Sequence, residues 1–183
     1  SAQVFSYKTT SPQSMTAFGA DILQALTSVL SATTPNTVNN PYTVNMSLGG
    51  GLVSTNCDTA SCSINSTVLS LTSRGVPVVA STGNNGVSPG VGSKTKIVWP
   101  SCVPHVIKVS SVRNDSTGTT LSGFANIAIQ SSFIGPILLA PGGGDGTNIR
   151  SAIPTSTTAT GLISGTSQAA PHVAGVYAVV KAT

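Results

Sequence analysis

Between Tyr42 and Ser81 the chain passes through an apolar segment, a loop, about ten residues of helical pattern and a second apolar segment. Tyr42-Thr43-Val44-Asn45-Met46-Ser47-Leu48 reads as a buried strand stopped by Gly49-Gly50-Gly51, and Val76-Pro77-Val78-Val79-Ala80-Ser81 reads as another. In the helix between them Ile64, Val68 and Leu71 share one face. Ser63 is placed to cap it, Arg74 falls in the last turn, and Gly75 is placed to end it. Parallel neighbours need such a crossover, whereas antiparallel ones need only a hairpin, and the crossover is right-handed in nearly all cases. The pattern therefore predicts a parallel α/β sheet in which both strands end on the same edge.

The other segments fit that sheet. Phe18, Ile22, Ala25, Leu26, Val29 and Leu30 recur at spacings of three and four, which predicts an amphipathic helix from about Thr16 to Leu30, closed by Pro35. Val106 to Val112 and Ile137 to Ala140 are further strands. From Ser167 to Lys181 nearly every residue is small or apolar, the pattern of a helix buried on all sides, with Pro171 near its first turn. No internal repeat and no linker divides the 183 residues, so one domain or most of one is expected.

Composition narrows the function classes. Only 7% of residues are charged, the acids are four Asp with no Glu, and the net charge is +4. The basic residues are scattered, whereas a nucleic-acid surface gathers them into a patch that displaces counterions, so nucleic acid is not an expected partner. No apolar run reaches the roughly 18 to 20 residues that cross a bilayer, and no membrane association is expected. The opening residues Ser1 to Lys8 read as a strand, with no signal-peptide pattern visible. Abundant Ser, Thr, Asn and Gly suits a secreted or extracytoplasmic protein, and Cys57, Cys62 and Cys102 permit one disulfide and one free thiol.

In an open parallel sheet, ligands bind outside the carboxyl ends of the strands. That edge carries Ser47-Leu48-Gly49-Gly50, a side-chain-poor segment whose backbone can pair with an extended peptide. It also carries Thr82-Gly83-Asn84-Asn85, where a carboxamide beside a glycine turn is a neutral, prepositioned donor for a developing oxyanion. At Gly165-Thr166-Ser167 a turn leads into the last helix, so the Ser167 hydroxyl lies at the positive end of the helix dipole. A serine at a helix start is ordinarily an N-cap, and only its context gives it another role.

That context is the run Gly165-Thr166-Ser167-Gln168-Ala169-Ala170-Pro171-His172-Val173-Ala174-Gly175. It resembles the nucleophile motif of the subtilisin-like serine peptidases at every position but one. Val44 to Gly50 is similar to that family's substrate-binding segment and Val78 to Gly86 to its oxyanion segment. Pro100, the Val106 strand and Leu139-Ala140-Pro141-Gly142 match in order. The resemblance implies a subtilisin-like parallel sheet with helices on both faces, incomplete because the amino-terminal part of the domain is absent, so that residues 1–183 form a partial peptidase domain. It implies a serine endopeptidase in which Ser167 is the nucleophile and Asn84, with the backbone N–H of Ser167, the oxyanion donor. Ser47, Leu48 and Gly49 would line a strand-pairing cleft, and Ser81, Thr82 and Gly83 one wall of the S1 pocket. A cis Trp99-Pro100 bond and a Cys57–Cys102 disulfide, favoured over Cys57–Cys62, are also implied. The implied partner is a peptide or protein substrate met by a monomer. A structural calcium is common in the family, although no dense cluster of oxygen ligands shows here.

Two departures qualify the resemblance. Gln168 stands where the family usually has Met, placing an amide on the leaving-group side. The family's triad runs Asp, His, Ser along the chain, and no Asp-Ser/Thr-Gly or His-Gly-Thr block precedes Ser167, so Asp and His are expected upstream. His172, five residues along the same helix, is turned about 140° away and displaced by roughly 7.5 Å. His105 reads as an ordinary imidazole, and Asp21, Asp58, Asp115 and Asp145 as solvated helix or turn residues. This chain alone is expected to lack activity. The competing reading is a non-catalytic peptide-binding homologue of the same fold. A Ser/Thr-rich structural protein leaves the three ordered motifs unexplained.

Overall fold

The computed structural model describes residues 3–10, 19–33, 43–57, 62–86, 94–128, 130–153 and 155–183. Thr16 to Phe18, Pro35, Tyr42 and Asp58, used in the reading above, lie outside them. Among the described residues, eight strands and three α-helices follow in the order α1 (Gly19–Ala32), β1 (Val44–Met46), β2 (Gly50–Val53), α2 (Asn65–Ser73), β3 (Val78–Ser81), β4 (Ile97–Trp99), β5 (Ile107–Val112), β6 (Ile137–Pro141), β7 (Ile149–Ala152), β8 (Thr160–Ile163) and α3 (Thr166–Ala182). A 3-10 turn spans Gln130–Ser132.

A four-stranded sheet of order β1-β3-β5-β6 is parallel throughout, as the strand–helix–strand pattern requires. Both faces are covered. Ile22, Leu26 and Val29 of α1 and Val68 and Leu71 of α2 pack with Met46, Val78 and Ala80 on one side. On the other, Ala169, Ala170, Val173 and Ala174 of α3 pack with Val79, Ile107, Val109 and Ala140. Because both faces are buried, β3 and β5 are unbroken buried runs rather than alternating ones. The antiparallel pairs β2–β4 and β7–β8 lie outside this sheet.

Several details differ from the sequence reading, among them the opening segment read as a strand, whose described residues 3–8 belong to no strand. Ser63 does not cap α2: Ile64 holds the N-cap position, fully buried, with no side-chain cap. A backbone turn from Asn65 N to Cys62 O leads the chain into the helix instead. Gly50, read as part of a strand stop, opens β2, with an irregularity between Gly50 and Leu52 where Gly51 takes a positive φ of 67°. And α3 is not buried all round. Its buried residues all precede Gly175, while Val176, Val179 and Val180 are more than 60% exposed. Pro171 is its sixth residue, in the second turn of the helix.

Gly75 ends α2 as read. At φ 74° it donates to Thr72 O while Val76 N reaches Leu71 O, a Schellman closure. Arg74 then reaches across to the end of α1, donating to Leu30 O and Thr33 O, where a cation meets the negative helix terminus. Lys181 donates to Gly75 O. In a chain so poor in acids, cations are spent on backbone carbonyls.

Lys108 is the extreme case. It registers with Ala80 inside the sheet, is fully buried, and donates to Val106 O at 3.0 Å and Ile134 O at 2.6 Å, with Val103 O at 3.5 Å. No carboxylate among the described residues pairs with it. Burial lowers its pKa from 10.5 to about 8.

The Cys57–Cys102 disulfide joins the segment after β2 to the turn after β4, and Cys62 is a buried free thiol. The Trp99-Pro100 bond is cis.

Candidate active site

β1 and β3 end side by side, which brings Ser47 and Thr82-Gly83-Asn84 to one edge of the sheet. There they meet the start of α3. The side-chain oxygen of Asn84 accepts both Thr166 N and Thr166 Oγ1 at 2.9 Å. Thr166 Oγ1 in turn accepts Gly83 N at 3.1 Å. Since only an acceptor can face the Thr166 N–H, these bonds set the orientation of the amide and turn its Nδ2 donor away from Thr166. Asn84 is exposed.

Gly165 lies close under two side-chain amides. A Cβ there would lie 2.8 Å from Gln168 Oε1 and 3.1 Å from Asn84 Nδ2, so the amide donor stands against the backbone that leads into Ser167. Gly49, in the side-chain-poor segment after β1, and Gly83, beside Asn84, are small for a reason their neighbours give. A Cβ on Gly49 would run into the Val98 side chain, and one on Gly83 would lie 2.7 Å from Val98 Cγ1. Both make room for β4, not for open cleft. Gly83 in addition has φ 110°, a region that favours glycine.

Ser167 is half-buried, and its hydroxyl has no hydrogen-bond partner among the described residues. Its carbonyl accepts Ser47 Oγ at 2.7 Å. Leu48 is half-buried and Gly49 exposed beside it. Ser81 and Thr82 are buried, with Thr82 Oγ1 donating inward to Asn126 O, so the side chain of Thr82 does not face a cleft. His172 is exposed and its Nδ1 is 2.8 Å from Gln168 O, while His105 is exposed in a turn at φ 69°. Neither imidazole bonds to Ser167.

Sequence reading missed Asn126. Fully buried, it accepts Asn85 N through Oδ1 at 2.6 Å, donates from Nδ2 to Lys96 O at 2.7 Å, and receives Thr82 Oγ1 and Ser110 Oγ on its carbonyl. It holds the loop that presents Asn84. A lone Asn inside Phe124-Ala125-Asn126-Ile127-Ala128 carries no periodic signal, and only its polarity in an apolar run hints at a role. Thr166, read merely as part of a turn, proves to be the link between Gly83 and Asn84.

Among the described residues no group of three or more His, Cys, Asp or Glu comes together. Asp115 closes its own turn onto Thr117 and Gly118, and those bonds lower its pKa. The carboxylate of Asp145 is taken by Gly123 N and Arg113, which lower its pKa likewise.

A model described as the subtilase family matches residues 1–183. Subtilisin BL of Lederbergia lenta is 31% identical over 163 residues, 89% of this chain and 50% of that protein. Subtilisin NAT of Bacillus subtilis subsp. natto is 31% identical over 142 residues, 78% of this chain and 31% of that protein. The chain thus spans half or less of the length of these relatives. Among solved structures, the prenylagaramide maturation protease PagA superposes with a TM-score of 0.70 at 24% identity, over 94% of this chain and 52% of that one. A psychrophilic protease, S41, gives 0.67 at 24%, over 92% and 51%. At that identity the structures speak to the fold alone.

Proposed function

The chain belongs to the subtilase family, and we propose that residues 1–183 are the part of a serine endopeptidase domain that carries the nucleophile and the oxyanion site. The observation that carries this reading is the meeting of Asn84 with Gly165-Thr166, 82 residues apart in sequence. In the proposed reaction the Ser167 hydroxyl attacks a peptide carbonyl. Asn84 Nδ2 and the Ser167 backbone N–H receive the oxyanion that forms, and an acyl-enzyme is then hydrolysed. Ser47, Leu48 and Gly49 pair with the substrate backbone, Ser81, Thr82 and Gly83 form a wall of the S1 pocket through their backbone, and Gln168 faces the leaving group.

The general base and its carboxylate come from outside these residues, since neither imidazole here reaches Ser167. Two features suit a further part of the domain packing nearby: β1 is an edge of the four-stranded sheet, and the second half of α3 exposes Val176, Val179 and Val180. The reading includes an extracytoplasmic location and action as a monomer on peptide or protein substrates.

The test is hydrolysis of a peptide library by the whole protein that contains this chain, and by its Ser167→Ala variant. Turnover that vanishes in the variant supports the reading. Peptide binding without turnover in both would replace it with the peptide-binding homologue.

A further inference from the structure

Pro171 has no N–H, so it cannot give the carbonyl of Ser167 the helix hydrogen bond that residue i+4 normally supplies. The gap falls on the peptide group of the candidate nucleophile itself. It is filled from another element: Ser47, the residue after β1, donates its hydroxyl to Ser167 O at 2.7 Å. Asn45 Nδ2 donates to Ser47 Oγ at 3.0 Å, leaving the serine proton for Ser167. The alternative acceptor for that proton, Asn45 Oδ1, is farther at 3.4 Å. A relay from Asn45 through Ser47 to Ser167 therefore ties the first turn of α3 to the carboxyl end of β1.

We propose that Ser47 is a positioning residue for Ser167: its hydroxyl replaces the helix hydrogen bond that Pro171 withholds, and so fixes the Ser167 peptide relative to the sheet edge. This goes beyond lining a cleft. Its kinetic consequence rests on Ser167 being the nucleophile, while its structural consequence does not. The proline makes the arrangement useful. With an ordinary residue at 171 the Ser167 carbonyl would be satisfied within α3, and the turn bearing the hydroxyl would be held by its own helix alone.

The experiment is a double-mutant cycle in the whole protein, using Ser47→Ala, Pro171→Ala and both together, with kcat, KM and thermal midpoint read for each. Ser47→Ala should lower kcat by between about 10- and 100-fold, the scale of a small misplacement of a reacting group, with a smaller change in KM. Adding Pro171→Ala supplies an N–H to the orphaned carbonyl and should recover part of both kcat and thermal midpoint. Ser47→Thr, which keeps a hydroxyl, should fall less than Ser47→Ala. Additive losses in kcat and midpoint, with no recovery in the double variant, would overturn the proposal. If Ser167 is not the nucleophile, Ser167→Ala leaves turnover intact and kcat does not respond to Ser47. The coupling of thermal midpoints between positions 47 and 171 then still decides whether the bond exists.

Discussion

The side-chain oxygen of Asn84 accepts the backbone N–H of Thr166 at 2.9 Å, locking a loop after β3 to the first residue of α3. This bond fixes which end of the amide is free. Asn84→Asp keeps the acceptor and loses the donor, so it should preserve the fold and lower kcat. The known oxyanion asparagine of subtilisin sets the scale, about 10²- to 10³-fold. Steady-state kinetics on the whole protein check this, and an unchanged kcat would remove Asn84 from the oxyanion role.

Asn126 should matter for stability rather than chemistry. Asn126→Ala removes the side-chain hydrogen bonds to Asn85 N and Lys96 O. Both bonds are half-buried, so at about 0.5 to 1.5 kcal/mol for each hydrogen bond lost the destabilisation should be on the order of 1 to 3 kcal/mol. Denaturant unfolding of the variant measures it.

Much of this architecture was legible in advance because Val76 to Ala80 is an apolar run that follows a helical pattern, and Gly75 stands where α2 must end. Three things were not. Small apolar residues from Ala169 to Val180 show that a helix can be packed closely, but not which half is covered. Lys108, inside a strand, has the polarity of a solvent-facing position, and only the covering of both faces makes it buried. The Asn84–Thr166 bond joins segments 82 residues apart, and no local pattern encodes it; the resemblance to a known family implied only that Asn84 and Ser167 act together.

Lys108 gives a pH signature whose sign follows from its environment. Burial depresses its pKa in the folded state to about 8 from 10.5. The unfolded chain therefore binds more protons between those values, and stability rises with pH across that window. Below pH 8 the full penalty of the buried ammonium is present, on the order of 3 kcal/mol; above 10.5 it is gone. Lys108→Met should flatten this rise while leaving the carbonyls of Val106 and Ile134 unpaired. Parallel denaturation series from pH 7 to 11 for both proteins test it, and identical slopes would contradict it.

The Cys57–Cys102 bridge closes a loop of sequence separation 45, for which the chain-entropy model gives roughly 4 kcal/mol. Replacing both by Ala should lower stability by about that amount. In the unreduced protein Cys62, buried and unpaired, should react with a maleimide only on unfolding. Peptide mapping of the labelled thiol reads the outcome.

The central claim is that Ser167 is a nucleophile set beside an oxyanion donor, and covalent trapping tests it most directly. The whole protein is treated with a fluorophosphonate, digested and mapped by mass spectrometry. The account predicts one adduct, on Ser167, absent from Ser167→Ala, slowed in Asn84→Asp, and absent from the isolated 183-residue chain, in which neither imidazole bonds to Ser167. An adduct on another serine, or undiminished peptide hydrolysis by Ser167→Ala, would contradict it.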